Sequence, residues 1–133
     1  MNEPLLRWAV VLVDLDPSVG HEQAGERRAV VVSYEPLHRS GLMAICPITS
    51  ARSAERFPGD VALPRGEASA RAGVIICHQL RTLAIERVRR VSGRITDPAV
   101  RSAVRRYLAR HVGLDIPPSE DGASGDEVFT RLV

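Results

Sequence analysis

The chain of 133 residues is the size of one domain, large enough to bury roughly two thirds of its unfolded surface in a single core. Apolar residues make up 44% and charged residues 26%, a globular balance, and no apolar run approaches the ~18 residues that a bilayer-spanning helix needs. Every one of the 18 basic residues is Arg. Residues 1–116 carry 17 of them against 12 acids, and residues 117–133 carry one against four. A mildly basic body with an acidic tail points to an anionic partner, although a GC-rich genome would also favour Arg over Lys. The start "MNEPLLRW" lacks the basic, apolar and small-residue succession of a signal peptide, so a cytoplasmic protein with no membrane partner is expected.

Along the chain, "AVVLVDLD" (9–16) reads as a strand by its β-branched content, with Asp14 and Asp16 on one face and Val13 and Leu15 on the other, and Pro17 stops it. "AVVVSY" (29–34) is a second strand, preceded by the polar stretch His21, Glu22, Gln23, Glu26, Arg27 and Arg28. "LMAICPIT" (42–49) is a third and "GDVALP" (59–64) a fourth. "GVIICHQLRT" (73–82) begins apolar on both faces and then splits, placing Gln79 and Arg81 on one face and His78 and Leu80 on the other. "ERVRRVSGRI" (86–95) is a sixth strand with Gly93 at a bulge.

A helix follows. Thr96 or Asp97 can cap it, Pro98 suits its first position, and Val100, Val104, Tyr107, Leu108 and Val112 form an apolar stripe up to Gly113. From Pro117 the composition is that of a linker, giving a domain over 1–116 and a flexible acidic tail over 117–133. The pattern as a whole predicts a mainly β, five- to six-stranded antiparallel barrel with a C-terminal helix.

Cys46 and Cys77 both sit in apolar runs and read as reduced core residues. A zinc site of Cys46, Cys77, His78 and His21 lacks the paired ligand spacings such sites show. No metal-ligating carboxylate set, Walker loop or nucleophile elbow is present, so the chemistry expected is acid–base and electrostatic work on an anion, with no metal and no cofactor. Three polar positions fall at predicted strand ends. Arg27 with Arg28 can clamp a phosphate, Thr49 can donate a hydroxyl hydrogen bond, and Gln79 can bond a phosphate or a base edge. Each taken alone also fits an ordinary surface, turn or rim residue.

Taken together, "LVDLDPSVGHEQAGERRAVVVS", "CPITS", "GVIICHQLRTL" and "VSGRI" with its helix resemble the MazF/PemK family of bacterial toxins, in order and spacing, over about residues 7–116. The resemblance implies an SH3-like (MazF/CcdB-type) barrel that forms a homodimer. It implies an endoribonuclease that cleaves single-stranded RNA at short sequences without metal and is neutralised by a cognate MazE-like antitoxin. By position it implies Arg27 and Thr49 as catalytic, Gln79 and Arg81 along the RNA groove, and Glu22 and Gln23 on a covering loop. Arg28 stands where the family usually has Pro, and Trp8-Ala9 where members have Gly followed by an acid.

Such an enzyme attacks phosphorus with the ribose 2′-oxygen, leaving a 2′,3′-cyclic phosphate and a 5′-hydroxyl. A guanidinium stays protonated, so Arg27 suits the role of clamp, and His21 or Glu22 is the expected base. Arg52 and Arg56, in the loop 50–58, are expected to recognise bases. The acidic tail is expected either to be a solubilising segment or to shield the basic groove. The alternative readings are a non-catalytic, CcdB-like gyrase poison and an inactive nucleic-acid-binding barrel.

Overall fold

A computed structural model describes residues 5–51, 55–68, 71–117 and 119. Among these residues are the strands β1 (Ala9–Asp14), β2 (Glu26–Val31), β3 (Leu42–Thr49), β4 (Asp60–Leu63), β5 (Gly73–Ile76), β6 (Arg81–Ala84) and β7 (Val88–Arg94), and the α-helix α1 (Pro98–His111). The strands form one sheet in the order β4-β5-β3-β2-β1-β7, with β6 paired to the first half of β3. Every pairing is antiparallel. β6 passes through a 3₁₀ turn, Ile85–Arg87, into β7 on the far side of β1, so β7-β1-β2-β3-β6 makes a ring completed by that turn.

The ring explains the continuous apolar runs. Val11, Val13, Ala29, Val31, Met43, Ile45 and Leu83 fill its interior, while Val10, Val30, Cys46 and Ile48 point the other way into a second core. That second core is covered by Val61, Leu63 and Ile75 of β4 and β5 and by Val100 and Val104 of α1. Strands buried on both faces need no polar alternation. Cys46 and Cys77 are buried in this second core, where a hydrogen bond with Cys77, and then burial, push the Cys46 thiol well above its usual range.

Asp97 is the helix cap, accepting from the Ala99 amide at 2.9 Å, and Pro98 follows it at the first turn. Glu67 supports the same end by accepting from the amides of Thr96 and Asp97, and these bonds hold its carboxyl below the usual carboxylate range. Val112 departs from the predicted stripe: it is exposed, beyond the last helical residue. Trp8 carries a positive φ of 76°, a conformation that suits Gly and strains a bulky residue. Its ring is nonetheless 4% exposed, with the guanidiniums of Arg101 and Arg105 each 5.5 Å from the centroid, so burial and two cation–π contacts offset the backbone strain.

Two expectations change. β2 begins at Glu26 rather than residue 29, because Glu26, Arg27 and Arg28 pair with Asp14, Val13 and Leu12, so Arg27 lies within the strand. The predicted strand 73–82 is broken by a 3₁₀ turn, Cys77–Gln79, which gives seven strands instead of six. A further 3₁₀ turn, Glu35–Ser40, lies between β2 and β3. β7 slips register against β1 between Val10 and Val11, where Ser92 is the extra residue. Gly93 beside it has no room for a side chain, since a Cβ there would collide with the Ala68 carbonyl. No helix among the described residues is long and apolar enough to cross a membrane.

Candidate active site

A pocket of about 210 Å³ opens where β2 begins and β3 ends, lined by Glu26, Arg27, Arg28, Thr49, Ser50 and Arg71 among others. Antiparallel pairing builds it. Arg28 faces Ile48 at the end of the β2–β3 ladder, and the next residue of each strand, Arg27 and Thr49, lines the pocket. Thr49 is 7% exposed, and its Oγ1 accepts the Ala51 amide at 3.2 Å, which leaves the hydroxyl hydrogen to donate.

The two neighbouring arginines have different roles in the structure. Arg28 Nη1 donates to the Arg71 carbonyl at 2.8 Å, and Nη2 donates to Ser50 Oγ at 2.8 Å and to the Ala72 carbonyl at 3.1 Å. The guanidinium therefore straps the segment before β5 to the end of β3. This seat depends on Gly73, where a Cβ would stand 2.7 Å from the Thr49 carbonyl and 2.8 Å from Arg28 Nη2. Burial, and then the charge of Arg71 beside it, lower the Arg28 pKa below the ordinary guanidinium value. Arg27 is exposed along the pocket wall, and among the described residues its guanidinium makes no hydrogen bond or ion pair. Three arginines, Arg27, Arg28 and Arg71, and one acid, Glu26, line the pocket, a positive balance suited to a phosphate.

The loop 15–25 leads into Glu26 at the start of β2 and is held by side chains. Gln79 Oε1 accepts the Gln23 amide at 2.8 Å, Gln79 Nε2 donates to the His21 carbonyl at 3.3 Å, and Arg81 Nη1 donates to the Leu15 carbonyl at 3.3 Å. Asp16 Oδ1 accepts the Gly25 amide at 3.0 Å, and Gly25 supplies the positive φ of 72° with which the chain re-enters β2. Gln79 and Arg81 thus anchor the loop from a turn and a separate strand instead of sharing one strand face. Glu22 is also engaged locally, its Oε1 accepting the Val19 amide at 2.8 Å.

The structure brings together Arg27, Arg28 and Thr49 and does not bring His21 or Glu22 into the pocket lining. Arg52 lies outside the described residues, as does the acidic run of the tail. Glu26, Ser50 and Arg71 line the pocket without having been singled out from sequence. Glu26 follows once β2 is begun at its true start, whereas nothing around Arg71 marks it.

The profile of the PemK-like, MazF-like toxins of type II toxin–antitoxin systems matches residues 6–112. The chain belongs to this family. This MazF-like chain is 31% identical over 105 residues to the endoribonuclease toxin ChpB of Escherichia coli K12, covering 77% of itself and 90% of ChpB. Against the Escherichia coli endoribonuclease PemK it is 35% identical over 78 residues, 58% of this chain and 59% of PemK. MazF of Deinococcus radiodurans superposes with a TM-score of 0.66 at 34% identity, over 80% of this chain and 94% of that one. A MazE–MazF structure from the same organism gives 0.69 at 29% identity, over 86% and 100%.

Proposed function

We propose that this MazF-like chain is an endoribonuclease toxin that cuts single-stranded RNA without metal, producing 2′,3′-cyclic phosphate and 5′-hydroxyl ends. The observation that carries the reading is the pocket itself: an exposed guanidinium, a buried hydroxyl aimed to donate and one carboxylate meet at a strand end. ChpB and PemK, both endoribonucleases by name, support it.

In this mechanism Arg27 and the Thr49 hydroxyl bind the non-bridging phosphate oxygens and stabilise the charge that builds on the phosphorane. Glu26 takes the 2′ proton as the 2′-oxygen bonds to phosphorus. The bond to the 5′-oxygen breaks, that oxygen takes a proton from a water molecule, and Glu26 returns its own proton to the hydroxide left behind. Arg28 positions Thr49 and Ser50 from behind. Glu26 replaces His21 and Glu22 as the base because it alone of the three lines the pocket. A cytoplasmic homodimer whose RNA cutting stops translation and growth, and which a MazE-like antitoxin neutralises, completes the reading. The MazE–MazF structure of Deinococcus radiodurans supports the antitoxin partner.

End mapping of a defined RNA in EDTA tests the proposal. Cyclic phosphate ends that disappear in Arg27→Ala and in Thr49→Ala are the expected outcome. A protein that cuts no RNA under conditions where it is folded would overturn it and return the chain to the readings of a gyrase poison or a non-catalytic binder.

A further inference from the structure

A second cavity, of about 200 Å³, lies where the last turn of α1 meets the turn Cys77–Gln79, lined by Pro58, Gly59, His78, Tyr107, Arg110 and His111. Its chemistry differs from that of the first pocket. Two imidazoles and a phenol ring form the walls, and the lining contains a guanidinium and no acid. The guanidiniums of Arg106 and Arg110 each sit 5.6 Å from the centre of the Tyr107 ring, and Phe57 meets His78 edge-on at 6.0 Å. Gly59 closes the arrangement. With φ at 99°, it would bring a Cβ to 3.3 Å from the His78 amide nitrogen. Drug-sized ligands need roughly 300–1,000 Å³, so this cavity suits one flat ring system and its polar edge.

Two connections tie it to the strand-end pocket. The loop that leaves Thr49 at the end of β3 returns to the sheet at Phe57 and Gly59, on the rim of the second cavity. His78, in the cavity wall, directly precedes Gln79, which holds the loop carrying Glu22 and Gln23. Along β5 the two places are the two ends of one strand. Gly73 abuts Thr49 and Arg28, and Ile76 leads into the turn with His78, three residues or roughly 10 Å on at about 3.3 Å per residue.

We infer that the second cavity is a seat for one unstacked nucleobase of the RNA strand, at a position flanking the cut. Aromatic and imidazole faces with Arg beside them are the means by which proteins hold single-stranded bases, since every base presents a π-face. The inference rests on the endoribonuclease reading. It adds a contact away from the reacting phosphate, one that selects where along the strand the phosphate enters the first pocket.

The test uses an RNA containing the mapped cut site, made uncleavable by a 2′-deoxy substitution there, and the same RNA with one abasic nucleotide at each flanking position in turn. Fluorescence anisotropy measures its binding to the full chain. His78 and Arg110 are both exposed, so His78→Ala and Arg110→Ala leave the core intact. Each is expected to weaken binding about tenfold, within the range that base stacking supplies. That penalty should vanish when the abasic nucleotide occupies one particular position and persist at all others. Tyr107→Phe, which keeps the ring, should bind as the wild type does.

Variants that bind like the wild type, or a penalty that persists at every abasic position, would overturn the seat while leaving RNA cleavage by the wild type standing. A wild-type protein that neither binds nor cuts RNA would remove both this inference and the reading it rests on.

Discussion

Arg27 and Thr49 project from strands that are hydrogen-bonded on both edges, β2 between β1 and β3, and β3 between β2 and β5. Glu22 and Gln23 ride instead on the segment 15–25, held to the turn after β5 and to β6 by single side chains, Gln79 and Arg81. The groups proposed to react are thus fixed by backbone ladders, and the loop residues are attached through side-chain bonds that can be lost one at a time. Positioning for chemistry tolerates little error, so it belongs on the ladders; recognition can be adjusted on the loop.

Substitutions can break this contrast in order of size. Arg27→Ala, Thr49→Ala and Glu26→Gln should each lower the single-turnover cleavage rate by about 10²-fold or more. If any of the three acted through binding alone, KM would rise with kcat unchanged.

Arg28→Ala strikes the ladder side from behind. The carbonyls of Arg71 and Ala72 lose their donor, and a cost of about 1–3 kcal/mol in unfolding free energy is expected by chemical denaturation. Gly73→Ala should act in the same direction, since its new Cβ cannot be seated without moving Arg28 or the Thr49 carbonyl.

Gln79→Ala sharpens the other side of the contrast. With Gln23 and His21 released, RNA affinity should fall severalfold, while stability changes by about 1 kcal/mol, the scale of one or two ordinary hydrogen bonds. A fall in rate as large as that of Thr49→Ala would show that the loop, too, positions the reaction.

The smallest effect is expected from His21→Ala. A base that must be ionised gives a rate that declines on the acid side. That acid limb should persist in His21→Ala and be lost in Glu26→Gln. Loss of the limb in His21→Ala instead would move the proton transfer onto the loop.

Much of this architecture was legible in the residues. The eight residues of β3 coincide with the run 42–49, and Pro98 after a capping Asp97 marked the start of α1, because strand and helix propensities there agree with the burial that the fold supplies. The start of β2 was hidden. Glu26, Arg27 and Arg28 have the composition of a loop, yet pairing with β1 extends the strand through them. Pairing partners are a property of the whole chain, so local composition could not reveal this. The break at Cys77–Gln79 was hidden for the converse reason: the residues suit a strand, but β5 pairs with Ile48–Thr49 and β6 with Leu42–Ile45 of the same β3, and the turn takes up the three extra residues between the two registers. Of the pocket lining, Arg27 and Thr49 could be reached from sequence, and Arg71 could not, because it stands in a segment with no strand or turn signal that meets Arg28 only in the folded chain.

Trp8 is the sole tryptophan of the chain, and it lies under two guanidiniums at the junction of α1 with the sheet. Its position makes it an intrinsic optical probe. Emission should be that of a sheltered indole in the folded protein and move to longer wavelength when the helix leaves the sheet. Fluorescence then reports undocking of α1 without any label, and comparison with loss of RNA cleavage would show whether the helix and the strand-end pocket come apart in one event or two.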